Sequence, residues 1–175
     1  SGKFAVAGNV PMVLRNAGYV TEIQNFFCPS VKPLDGVLPD PPTVKTVEEA
    51  TGPELRSCQQ RMGGTFAHNM GYVSKGHLLP AMMGCREDFA LVGDAPGDVT
   101  RPVHDGMGLN VLYEDGHIRF LPQQGNSQTI MFDNPFRNRR GYREAGVDPN
   151  DSSLGPSEAH PLPYVDDPNQ RFPRR

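Results

Sequence analysis

The sequence predicts an α+β domain, a short N-terminal helix packed on a mainly antiparallel sheet, followed by a long irregular C-terminal arm. Three observations predict it. Nineteen glycines and 18 prolines among 175 residues, with 37% apolar residues, describe a turn-rich globular chain rather than a helical bundle. One early segment carries a helical period, whereas later apolar segments are short and alternate. Residues 110–122, "NVLYEDGHIRFLP", read as two strands around an Asp115-Gly116 turn. The length suits one domain with a real core better than two. Composition divides the chain into a globular part, 1–133, and an arm, 134–175.

The elements follow in order. In "NVPMVLRNAG", Val10, Val13, Leu14 and Ala17 recur at i, i+3, i+4 and i+7, one face of a helix. Asn9 is placed to cap it, Pro11 is tolerated in the first turn, and Gly18 supplies the stop. Residues 31–45 are rich in proline and glycine and read as a surface loop. "TVEE" from Thr46 has the capping-box spacing, with Gly52-Pro53 ending that helix and a further turn at 54–60. "GGTFAHNMGYVSKGHLL" leads into extended segments around Phe66 and Tyr72. "DFALVGD", ending at Asp94, reads as a central strand, and a polar loop joins it to the hairpin.

A two-residue turn pairs Tyr113 with Ile118 and Val111 with Phe120. Alternation then sends Val111, Tyr113, Ile118 and Phe120 to the core and Glu114, His117 and Arg119 to the wetter face. Beyond Asn134 the chain holds seven prolines and seven arginines against six acidic residues in 42 positions, with almost no apolar period. A segment of that kind is held only by docking onto something.

A formal charge of −3 gives no electrostatic case for nucleic acid or an anionic membrane. No apolar window is long enough to span a bilayer, and no cleavable signal peptide is visible. The chain begins "SGKFAVAGN", without Met. Cys28, Cys58 and Cys85 form no CxxC pair and match no zinc-finger spacing. Two states suit them: one disulfide plus one thiol in an oxidising compartment, or three reduced, buried thiols.

The densest polar region holds Asp94, Asp98, His104, Asp105, Asn110, Asp115 and His117. Carboxylates near a glycine-rich loop are oxygen ligands suited to calcium, with Asp94, Asp98 and Asp105 the candidate set. No EF-hand spacing is present, and the plainer role for Asp94 and His104 is to hydrogen-bond the loop and close it over the hairpin. A zinc site on His104 and His117 needs further ligands from elsewhere. No nucleophile elbow, phosphate loop, HExxH or dinucleotide fingerprint occurs. A Cys28 or Cys58 nucleophile with His68 or His104 has no spacing to single it out. "FRNRRGYR" brings Arg137, Arg139, Arg140 and Arg143 together with two aromatics. In an acidic chain these arginines suit docking onto carboxylates of the same sheet or a neighbouring subunit better than base stacking.

"NFFCPS", the strand ending in "GD", and "HDGMGLNVLYEDGHIRF" resemble prepilin-type proteins with a processing-associated H-X9-DG domain, abundant in planctomycetes and related bacteria. The motif maps onto His104, Asn110, Val111, Leu112, Asp115, Gly116 and His117. Ten residues, not nine, separate His104 from Asp115, the extra one falling in the glycine loop. The likeness spans roughly residues 1–160, and its specific part is 88–120. It implies a pseudopilin-like globular domain facing outside the cytoplasm, reached in the precursor through a leader helix that this chain does not contain. It also implies a Cys28–Cys58 disulfide, whose loop of about 30 residues would contribute about 3 kcal/mol.

The expected function is structural and not enzymatic: an extracytoplasmic subunit whose partners are copies of itself or other proteins, with no nucleic acid. The arm is expected to lie across a neighbour, its arginines meeting acidic residues of the 94–105 loop. Two alternatives are a calcium- or carbohydrate-binding module, and an enzyme whose site joins His104 with Asp94 or a cysteine.

Overall fold

A computed structural model describes residues 2–31, 40–81, 84–95, 103–122 and 134–162. Among these residues the chain is α+β. It has helices α1 (Asn9–Asn16), α2 (Val44–Glu49) and α3 (Gly52–Met62). Its strands are β1 (Phe66–Asn69), β2 (Tyr72–Ser74), β3 (His77–Leu79), β4 (Ala90–Asp94), β5 (Gly108–Tyr113), β6 (Ile118–Pro122) and β7 (Leu154–Gly155). Five strands form one antiparallel sheet in the order β6-β5-β4-β1-β7, with the expected strand β4 at its centre, and β2-β3 is a separate hairpin. No described helix is long and apolar enough to cross a membrane.

Helix α1 ends as its sequence predicts. Gly18 adopts φ +79°, Tyr19 N–H donates to Leu14 O at 2.9 Å and Gly18 N–H to Arg15 O at 3.0 Å, the paired bonds of a Schellman stop. Its buried face is not the predicted one. Pro11 and Met12 are buried, whereas Val10, Val13 and Leu14 are 46%, 51% and 39% exposed. Gly8, not Asn9, stands at the cap, without a side-chain bond. The helix entry is set instead by long-range backbone bonds from Ala7 N to Ala159 O and Gly8 N to Ser157 O, both 2.8 Å. These bonds rotate α1 so that Met12 joins Val6, Val47, Ala50, Cys58 and Met62 in one apolar cluster.

The next two helices also start elsewhere than expected. Thr43, three residues before Thr46, caps α2, its Oγ1 accepting from Thr46 N at 3.1 Å. Gly52-Pro53 opens α3 rather than only closing its predecessor. Proline fits a first helical turn because the N–H it lacks has no intrahelical acceptor there. The turn expected at 54–60 is therefore an 11-residue helix.

The hairpin is present, with its register displaced by one residue. Leu112 faces Ile118, Val111 faces Arg119 and Asn110 faces Phe120. Tyr113 N–H donates to His117 O and Gly116 N–H to Tyr113 O, so the loop holds three residues, Glu114, Asp115 and Gly116. Gly116 sits at φ +93°, the left-handed third position of such a loop. With a period of two, one step inverts the strand. Val111 and Tyr113 enter a core with Ala67, Ala90 and Leu154, while Ile118 and Phe120 are 67% and 48% exposed. Glu114 is buried.

Residues 134–162 are part of this fold rather than an arm laid outside it. Their strand β7 pairs with β1, His68 facing Gly155 and Asn69 facing Leu154. Ser157 Oγ accepts from Gly63 N at 2.7 Å and donates to Gln59 O, fastening the segment to the end of α3.

Candidate functional site

The sheet register decides which side chains meet. Opposite His68 on β1 lies Val92 on β4, and opposite Phe66 lies Asp94. Alternation puts Phe66, His68, Val92, Asp94 and Asn110 on the face away from Ala67, Gly93 and Val111. Asp94 ends β4, and Asn110 N–H donates to its Oδ2 at 2.7 Å. That bond continues the β4–β5 ladder with a side chain where the strand stops.

Two further segments converge on this carboxylate. The chain after Phe26 runs beside β1, with Thr65 N donating to Phe26 O at 3.0 Å and Cys28 N to Thr65 Oγ1 at 2.6 Å. Close approach is possible because residue 64 is glycine. Its φ is +64°, and a Cβ there would collide with the Phe26 carbonyl oxygen. The "CPS" turn thereby delivers Cys28 and Ser30 to the end of β4. From the other side comes the loop before β5, where His104 (φ 51°, ψ 40°) and Asp105 (φ 53°, ψ 25°) both hold left-handed backbone. Such a conformation costs a non-glycine residue about 1–2 kcal/mol, and here it turns His104 inward.

The result is a compact cluster. His104 Nε2 lies 2.8 Å from Asp94 Oδ2, 3.0 Å from Asn110 Nδ2 and 3.6 Å from Cys28 Sγ. Asn110 Nδ2 also donates to Asp94 Oδ2 at 3.1 Å. Ser30 Oγ lies 3.0 Å from Cys28 Sγ and accepts from His104 N at 3.2 Å. The Asp94 side chain is 4% exposed and that of His104 24%, so the cluster opens to solvent past the imidazole. The coordinating atoms of Cys28, Asp94 and His104 all lie within 4.8 Å of one another.

The H-X9-DG residues are thus split between the two ends of the hairpin. His104 and Asn110 join the cluster. Asp115 and His117 instead pair with each other at the tip, Oδ1 to Nδ1 at 2.6 Å. There His117 stacks on Tyr113 with ring centroids 4.6 Å apart. The His117 N–H bond to Asp115, together with the side-chain bond, holds that carboxyl below its usual range. A zinc site spanning His104 and His117 is not formed.

Of the expected calcium set, Asp94 and Asp105 are described. Asp94 is taken up by His104 and Asn110, Asp105 is exposed outside the cluster, and Asp98 lies outside the described residues. Cys28 and Cys58 stand as separate free thiols rather than a disulfide. The first faces His104, and the second is enclosed in the apolar helical cluster. Among the described tail arginines, Arg137 and Arg139 bond locally through their guanidinium groups. Arg139 pairs with Asp148 at 2.6 Å, Arg137 donates to Gly141 O, Arg140 N–H donates to Asn138 Oδ1, and Arg143 is exposed beside them.

Two residues that the sequence left unmarked matter here. Ser30 bridges Cys28 and the His104 backbone; its only sequence signal is its place in "CPS". Arg86 holds the buried Glu114 with Nε–Oε2 and Nη2–Oε1 bonds of 2.8 and 2.9 Å. Those bonds hold the Glu114 carboxyl down at about 2. Set against protein families, curated proteins and solved structures, the chain matches none.

Proposed function

We propose that this chain is a structural subunit, an extracytoplasmic pseudopilin-like protein that assembles with copies of itself or with other proteins. The observation that carries the proposal is the uncovered ridge of α1. Val10, Val13 and Leu14 follow one another along the helix at 46%, 51% and 39% exposure, while the opposite side of the helix is anchored in the core by Met12. A helix fixed in this way presents its apolar ridge outward, the arrangement that helix-to-helix assembly uses. The resemblance in "NFFCPS" and the 88–120 block supports the pseudopilin-like form and the placement outside the cytoplasm.

The test is the molar mass of native protein by light scattering, repeated on Val13→Asp. The expected result is a mass well above the 19.2 kDa of one chain, lowered by the substitution with no change in the folded signal. A monomer at every concentration and with every candidate partner overturns the proposal.

A further inference from the structure

We propose that Cys28, Asp94 and His104 form a mononuclear site for a zinc-type cation, with the fourth position open to water or another small ligand. The site is independent of the α1 ridge, which contributes no residue to it.

Proton arithmetic at one nitrogen makes the first argument. His104 Nε2 faces Asp94 Oδ2, Asn110 Nδ2 and Cys28 Sγ at 2.8, 3.0 and 3.6 Å. An imidazole nitrogen has one in-plane position, either an N–H or a lone pair. With a proton it donates to Asp94 Oδ2, which the Asn110 amide and backbone N–H already reach, so three donors crowd one carboxylate oxygen. Without one it accepts from Asn110 or the thiol, and its lone pair then opposes a carboxylate oxygen at hydrogen-bonding distance. Reversing the Asn110 amide only sets its oxygen against Asp94. A cation among Sγ, Nε2 and Oδ2 needs no proton on that nitrogen, since thiolate, imidazole and carboxylate all direct lone pairs at it, and Asn110 keeps its bonds to Asp94.

Ligand type and spacing select the ion. One sulfur, one nitrogen and one oxygen suit zinc and its borderline-soft neighbours and disfavour calcium and magnesium, which take oxygen. Tetrahedral zinc with bonds of about 2.3 Å to sulfur and about 2.0–2.1 Å to nitrogen separates those two ligands by about 3.6 Å. Cys28 Sγ and His104 Nε2 stand 3.6 Å apart. Asp94 Oδ2, at 2.8 Å from Nε2 and within 4.8 Å of Sγ, has to withdraw from Nε2 by about half an ångström to reach tetrahedral spacing from it.

The surroundings are those of a ligand set held in place. Asn110 fixes Asp94 through its backbone and side-chain nitrogens, Ser30 contacts the Cys28 sulfur, and left-handed backbone directs His104 inward. Outer partners of this kind orient ligands and tune their affinity. The ligands come from three separate segments, so an ion there ties the "CPS" turn, β4 and the loop before β5 together.

The experiment uses the full chain, stripped with a chelator and titrated with Zn²⁺ alone by calorimetry and with Co²⁺ by absorption. One ion per chain is expected, with a tetrahedral Co²⁺ spectrum carrying a sulfur-to-cobalt charge-transfer band and a rise in Tm on loading. Cys28→Ser, nearly isosteric, is expected to remove the charge-transfer band. Asn110→Ala should lower affinity by about 10- to 100-fold. Cys85→Ser, at the exposed thiol, should change neither. Two results overturn the site: wild type binding neither metal more tightly than Cys28→Ser does, or a sulfur band that follows Cys85. The wild-type spectrum decides the matter even if a ligand variant fails to fold.

Discussion

Arg86 and Glu114 meet as a two-pronged ion pair, Nε on Oε2 at 2.8 Å and Nη2 on Oε1 at 2.9 Å, beneath the turn of the β5–β6 hairpin. The Arg86 backbone N–H adds a third bond to Oε2 at 3.0 Å. The Glu114 side chain has no exposed area, so its charge is tolerated only because this fork meets it. The guanidinium also lies over the Phe89 ring at 3.6 Å, which fixes its plane.

Glu114→Gln should therefore destabilise the fold by on the order of 2–3 kcal/mol at neutral pH, leaving Arg86 without its carboxylate. Glu114 titrates at about 2 in the fold against 4.5 ordinarily, so its contribution is present above 4.5 and lost as pH falls toward 2. Urea unfolding of both proteins across that window should show the gap closing. A gap that does not depend on pH is incompatible with the ion pair.

His68 gives a separate acid dependence. Burial pushes its pKa from 6.5 down to about 4, against the opposing pull of the Gly63 carbonyl. Its Nδ1 has no hydrogen-bond partner among the described residues. The folded chain holds it neutral while the unfolded chain takes up a proton below pH 6.5, so stability falls from 6.5 down to 4 and levels off beneath. The expected loss is about 3 kcal/mol, and His68→Gln should lack that part of the profile. Superimposable profiles for the two proteins would count against a buried neutral imidazole.

The hairpin register can be read from two substitutions. Ile118→Thr should leave stability within about 0.5 kcal/mol, because Ile118 is exposed. Val111→Ala should cost about 2 kcal/mol, because Val111 is fully buried. The two-residue turn expected from Asp115-Gly116 makes both costly, so equal effects would restore that register.

Thiol titration tests the state of the cysteines. Under non-reducing conditions Cys85, exposed, should react in the native protein, and Cys28 and Cys58, buried, only after unfolding. Reductant should leave Tm unchanged. One thiol after unfolding, with a Tm lowered by reductant, would establish the disulfide instead.

What the sequence made legible is local. Strand β4, the existence of α1 and its Gly18 stop rest on apolar runs and one left-handed position, and they stand as expected. The buried face of α1 was illegible because backbone bonds to residues 157 and 159 set its rotation. The hairpin register was illegible because Glu114 looks like a surface residue until Arg86 is seen beside it. Asp94, His104 and Asn110 are legible in the sequence as members of a polar group and a motif. The arrival of Cys28 beside them depends on the passage of the 26–30 segment alongside Thr65, which no local period encodes.

The bonds that join Gly8 to Ser157 and Gly63 to the same serine bear on the order in which the molecule is made. A chain emerging from the ribosome has α1, α3 and β1 in hand long before β7 exists to flank them. These helices wait for the last described strand before their final placement. Contacts of such wide separation slow folding and leave β1 as an open edge in the interim. A nascent chain halted near residue 133 would present an unfinished sheet rather than a smaller domain, and would be a natural client for a holding chaperone.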